Sequence, residues 1–236
     1  MRNKSAILKC LFVLFLVFVP SLFFSLAALF NNGQNIVVNF YNFNLGIRSA
    51  LSWLIQSFQC GFPVLALIAL TNESFADYGF NKISAKEWLK SLFRLLGLTV
   101  LSSIVLGIIA MLIMIFSKDF NYEDFYELVS REKNSIAAIS LNLIPMTLLA
   151  FTEELCFRSY LYVNLNKIIE NKWVCIIVVN ILFGICHIYQ GLIGVVGTFF
   201  VGIIFSIEFK NHKNIYTISV FHALRNAVAL VMRTMI

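Results

Sequence analysis

Seven long apolar stretches, at about 7–30, 47–70, 93–117, 135–162, 173–190, 192–209 and 215–234, constrain this chain more than any other feature. A run of about 20 apolar residues matches the thickness of a bilayer's hydrocarbon core. In hydrocarbon every backbone polar group must be satisfied internally, so only helices and closed barrels span. The stretches are too long for barrel strands and show no alternation. They predict an all-α polytopic membrane bundle of about seven transmembrane helices.

Composition agrees. Of 236 residues 60% are hydrophobic and 13% charged, with a mean hydropathy of +0.85. Soluble domains carry about 25% charged residues. The net charge of +6 is spread over the ends of apolar runs, which points to membrane orientation and not to nucleic acid. With the N-terminus in the cytoplasm, twelve of the eighteen Lys and Arg fall on the cytoplasmic side and four outside. "MRNKSAILK" resembles the basic start of a signal peptide, but the run from Cys10 to Phe30 is longer than a signal core and suits a first spanning helix. The expected location is an integral membrane, that of a bacterial cell. The division is 1–74, N-terminal transmembrane helices, and 75–236, a core integrated with them. "ISAKEWLKSLFRLL" reads as an amphipathic lead-in to the third span, and 118–134 as a solvated charged loop. Cys10, Cys60, Cys156, Cys175 and Cys186 show no metal-type spacing and read as small buried hydrophobes.

Inside this apolar frame stand a few polar side chains. The fourth stretch carries Glu153, Glu154 and Arg158, the fifth Asn180 and His187, the last His222, Arg225 and Asn226. Intramembrane ionisable residues are costly and mark function by default. The spacings are helical. Glu154 and Arg158 are four apart and can pair, as can His222 with Asn226 and Phe183 with His187. Asn180 lies two turns before His187. Glu153 points about 100° away from Glu154, toward a different neighbour. A buried pair that only locks helices together explains Glu154 and Arg158 equally well. Glu153 is left without a local cation. His212, in the short basic loop "KNHKN", reads as solvated.

"EELCFR" (153–158), "FGICH" (183–187) and "HALRN" (222–226) fit EExxxR, FxxxH and HxxxN motifs. Their order and placement resemble the CAAX-prenyl protease and bacteriocin-processing family, also called Abi. The glycine-bearing span "GTFFVGIIFSIEF" fits the same layout, and the resemblance extends over roughly 75–230, starting near "DYGF" (77–80). It implies an intramembrane endopeptidase acting on a peptide or membrane-protein substrate, with bacteriocin maturation or self-immunity as the expected setting. Glu153 with His187 would activate a water, and His222 with Asn226 would stabilise the oxyanion. Glu154 and Arg158, with Phe183 and Asn180, would shape the site. That division suits amide hydrolysis, which needs a proton acceptor and donors aimed at the developing negative oxygen. No cofactor is expected, although Glu153, His187 and His222 could alternatively ligate Zn2+. Cys186 as a nucleophile is disfavoured, because helix neighbours point apart. Two other classes compete: a catalytically inactive immunity or scaffold protein binding a peptide in the same cavity, and a proton-relay transporter, against which the absence of internal repeats counts.

Overall fold

The computed structural model describes residues 2–30, 45–116 and 136–235, so the loop at 118–134 lies outside the described residues. The described chain is helical, with seven rods and no strand. Helix α1 comprises Arg2–Val13, a wide π turn at Leu14–Phe18 and Val19–Phe30. Pro20 explains the wide turn: its ring offers no N–H and clashes with the carbonyl one turn back, so the ladder slips by a residue. Helix α2 is Leu45–Leu70, α3 is Ala85–Phe116. Helix α4 comprises Ile136–Glu154, a second π turn at Leu155–Leu161 and Tyr162–Leu165. Helix α5 is Lys172–Ile185, α6 is Gly191–His212 and α7 is Ile215–Met235.

Six rods are long and apolar enough to cross a membrane; α5 is the exception. Its 14 residues rise about 21 Å, against roughly 30 Å of hydrocarbon. The stretch at 173–190 is therefore not one uniform span. It stops at Ile185, and a 3-10 turn, Ile188–Gln190, leads directly into α6. Non-helical backbone at membrane depth must find partners within the protein. Here Ser25 of α1 donates to the freed carbonyl of Cys186. The amphipathic lead-in is continuous with the third span in the single 32-residue α3.

Helix α4 is the central rod. It packs most extensively on α2 and α7, while α5 lies on α6 and α3 on α6. The N-terminal helices thus join the same core as the rest. All five cysteines are buried and free.

Two ionic clusters tie helix ends together. Past the end of α2, Glu73 takes Lys9 of α1 at 2.5 Å and Lys167, beyond α4, at 3.3 Å. Tyr78 Oη donates to the same carboxylate at 2.7 Å, and the Tyr78 ring stacks on Tyr160. Burial raises the Glu73 pKa, but hydrogen bonds from Lys9, Tyr78 and Lys167 outweigh it and hold the group at about 2. In the second cluster Arg94 of α3 grips Glu208 of α6 with two hydrogen bonds, at 2.7 and 2.8 Å. His212 is not simply solvated: its Nε2 lies 2.8 Å from Arg94 Nη2 and 3.6 Å from Glu208. The short loop puts it one helical turn past Glu208, where α3 reaches it.

Candidate active site

Glu154 closes the regular part of α4, and the π turn begins at the next residue. Every residue from Leu155 to Leu161 is buried. A π turn inserts an extra residue and re-aims the side chains on either side of it. Arg158, wholly buried, sits in its middle. Its Nη1 lies 3.3 Å from Glu154 Oε1, the ion pair that the four-residue spacing predicts. Its Nη2 donates to Asn180 Oδ1 of α5 at 2.9 Å. The guanidinium lies 3.8 Å over the Phe183 ring, a stacking that suits its planar, weakly hydrated cation.

Asn180 is fully engaged. Besides accepting from Arg158, its Nδ2 donates to Ile176 O and to Ser206 Oγ of α6, both at 2.8 Å. The sequence carries no hint of the Ser206 contact, since a serine in an apolar helix is unremarkable. Gly202 is part of the same packing. A Cβ there would press into Asn180 Oδ1 and lie 2.5 Å from Arg158 Nη2. Only a glycine lets α6 come this close.

His222 of α7 enters from the other side. Its Nδ1 lies 2.8 Å from Glu154 Oε1 and its Nε2 3.7 Å from Glu153 Oε2. The 100° offset between consecutive helix residues suggests different neighbours for the two glutamates. They instead share one imidazole, edge to edge, because the ring spans the gap between them. Glu154 is thus paired with both Arg158 and His222 through a single oxygen. Its other oxygen, and Arg158 Nε, are buried without a hydrogen-bond partner among the described residues. Phe205 and Phe183 pack against the His222 ring, with centroids 5.6 and 6.4 Å away.

His187 lies on the turn after α5, not on the helix itself. Its Nδ1 is 2.8 Å from the Phe183 carbonyl. A carbonyl only accepts, so Nδ1 carries the proton and, in the neutral ring, Nε2 keeps its lone pair. The Phe183 ring lies 4.7 Å from His187 and also touches His222. If α5 were a uniform span, His187 would lie about 10 Å or more from the depth of Glu153. In the structure α5 ends before His187, which sits on the following turn beside Phe183.

The residues therefore fall into three groups. Glu153, Glu154, Arg158, Asn180, Phe183 and His222 form one continuous chain of contacts. His187 adjoins it through Phe183 and makes no hydrogen bond or ion pair with Glu153. Asn226, one turn beyond His222, is partly buried, and no hydrogen bond links it to the others. Among the described residues no three His, Cys, Asp or Glu side chains are gathered closely enough to hold a metal ion. Of the three alternative zinc ligands, His222 has its Nδ1 against Glu154 and its Nε2 toward Glu153, while the His187 Nδ1 lies against Phe183 O.

No curated protein matches the chain. No solved structure matches it either. A family model does: residues 135–228 match the one described as "Type II CAAX prenyl endopeptidase Rce1-like". The matched segment is shorter than the 75–230 over which the motif layout extends, yet it contains all three motifs and every residue of the candidate site. "EELCFR", "FGICH" and "HALRN" all fall within that segment, so residues 135–228 are similar to the Rce1-like CAAX prenyl endopeptidase family.

Proposed function

We propose that the chain is an intramembrane endopeptidase in which Glu153 is the general base. The observation that carries this reading is the His222 ring suspended between two carboxylates, one of which is also neutralised by Arg158. Glu154 has two cationic or donor partners and serves as an anchor. Among the described residues Glu153 has only the His222 Nε2 edge, at 3.7 Å. That gap is too long for a direct hydrogen bond and leaves Glu153 free to take a proton from a water.

The remaining roles follow from what each group can donate or accept. His187 Nε2, with its lone pair, helps to orient the attacking water beside Glu153. Glu154 fixes the His222 ring by accepting from Nδ1. As an imidazolium, His222 donates its Nε2–H to the oxyanion that forms as the amide carbonyl becomes tetrahedral. Asn226, with no competing partner, adds an amide donor on the same face of α7. Glu153 then returns its proton to the leaving amine. Fixed donors in a low-dielectric site act more strongly than they would in water. The substrate class is a membrane-associated protein or peptide, as for the family, and processing of a bacteriocin-type peptide or of an immunity partner is the biological setting we favour. The catalytic type we favour is a metal-free glutamate protease, with Zn2+ held by Glu153, His187 and His222 as the alternative.

The test is Glu153→Gln. The amide keeps size and most hydrogen bonding but cannot take a proton. Cleavage of a membrane-peptide library by the purified variant should fall about 100-fold or more, with insertion intact because a neutral side chain is easier to bury. A folded variant that cuts, or protects cells, at the parental level would leave the non-catalytic immunity or scaffold reading instead.

A further inference from the structure

A polar cavity lined by none of the candidate site residues lies among the helix ends. Its volume is about 380 Å³, and Lys9, Glu73, Asp77, Asn164, Lys167 and Lys213 supply its polar lining. These residues come from α1, the α2–α3 connection, the end of α4 and the α6–α7 turn. Each lies within a few residues of the end of an apolar rod. The cavity therefore opens at the level of the membrane interface, where phospholipid phosphates sit.

Its charge is not balanced. Lys9 and Lys167 share the single carboxylate of Glu73, so one positive charge remains there. Lys213 has no side-chain partner among the described residues, and Asp77 stands at the exposed edge. Three ammonium groups against two carboxylates leave one net positive charge, the complement of a phosphodiester. Simple ionic stapling of helix ends would need no cavity and no third lysine.

Lys213 is also held at a backbone position that suits glycine. Its φ is +43°, in the left-handed region, which side chains with a Cβ rarely adopt. Its N–H caps Phe209 O at 2.7 Å and its carbonyl accepts from Asn81 Nδ2 at 3.0 Å. Glycine is the usual occupant just past a helix end. A lysine kept there against the backbone preference points to a use for its side chain.

We propose that this cavity is a phosphate-ester site that takes the headgroup phosphodiester of a membrane phospholipid, with Lys213 as the group that closes on it. Lys9 and Lys167, already ordered by Glu73, form the inner wall. Basic pockets between helix ends recognise lipid phosphates in this way. The site is independent of the protease reading.

The experiment uses the full chain, delipidated in a maltoside detergent, and follows thermal unfolding. Three additives are compared: short-chain phosphatidylglycerol, a galactosyl diacylglycerol with the same chains, and inorganic phosphate. A ligand that binds only the folded state raises the unfolding temperature with its concentration. Phosphatidylglycerol should do so and the galactolipid should not. In Lys213→Gly the unliganded protein should melt no lower than the parent, because glycine accepts the positive φ. Its phosphatidylglycerol shift should drop by at least half. If inorganic phosphate gives the same Lys213-dependent shift, the phosphate site stands and its ligand is free phosphate; if only the lipid acts, the headgroup is the ligand. Equal shifts from both lipids, or a full shift in Lys213→Gly, would overturn the proposal.

Discussion

Two carboxylates in this molecule each gather several positive or donor-bearing partners, and they do so differently. Glu73, at the rim, uses both oxygens: Oε1 takes Lys167, while Oε2 takes Lys9 and the Tyr78 hydroxyl. Glu154, in the interior, places Arg158 and His222 on one oxygen and leaves the other bare. At the rim, water and flexible lysine stems let every acceptor find a donor. In the interior the partners are a rigid fork and a ring, each held by a neighbouring helix, and the geometry cannot satisfy everything at once. The rim cluster has the features of a fastener. The interior cluster holds charge in an incompletely satisfied state, which is costly and belongs where chemistry is done.

The comparison breaks most visibly at Arg158. Arg158→Ala strands Glu154 beside His222 with no compensating cation, and removing one partner of a buried pair costs about 3–5 kcal/mol. Folded yield in membranes should drop sharply, and Glu154→Gln added to Arg158→Ala should restore part of it. A well-folded Arg158→Ala protein whose only defect is catalytic would show that the pair is not structural. Gly202→Ala should come next. The added methyl collides with Asn180 and Arg158, and overpacking of this kind costs about 1–3 kcal/mol. Chemical denaturation in mixed micelles measures it; an unchanged midpoint would mean that α6 can move away freely.

The rim should yield a smaller effect, and one that depends on pH. The Glu73 carboxyl is held at about 2 in the fold, below its ordinary value. A group with a depressed folded pKa adds stability that is present above its unfolded pKa and is lost as pH falls toward the folded one. Between about pH 5 and pH 2 the parent should therefore lose stability that Glu73→Gln never had. The difference between their melting temperatures should shrink through that window, and a constant difference would show that Glu73 is not the titrating group.

Much of the core site was legible before the structure. The three motifs and the four-residue spacing of Glu154 and Arg158 follow from helical periodicity, which survives burial unchanged. What was not legible depends on departures from periodicity. Nothing in "LCFRSYL" announces a π turn, and nothing in a 100° step shows that the His222 ring of another helix spans the gap between Glu153 and Glu154. The early end of α5 was hidden because no proline or glycine stands between Ile185 and Gln190 to mark a break. The link from Ser25 to the Cys186 carbonyl joins residues 161 apart, and a hydroxyl in a greasy helix gives no sign of such a partner. Asn226 marks the opposite limit: its motif is clear, and the fold leaves its amide unengaged.

The wide turn at Leu155–Leu161 has a consequence for how this protein tolerates insertions and deletions. It lies between Glu153 and Glu154 on one side and Asn164 on the other. Losing one residue from it would let the segment relax to an ordinary helix with every hydrogen bond kept. The wide turn spreads about the same rotation over one residue more than a regular helix, so the two ends of α4 would keep their mutual orientation. The glutamates would stay by His222 and Asn164 by Tyr78. A single-codon deletion inside these seven residues would thus be borne far better than one in the regular helix on either side, which would turn the two ends by about 100° against each other.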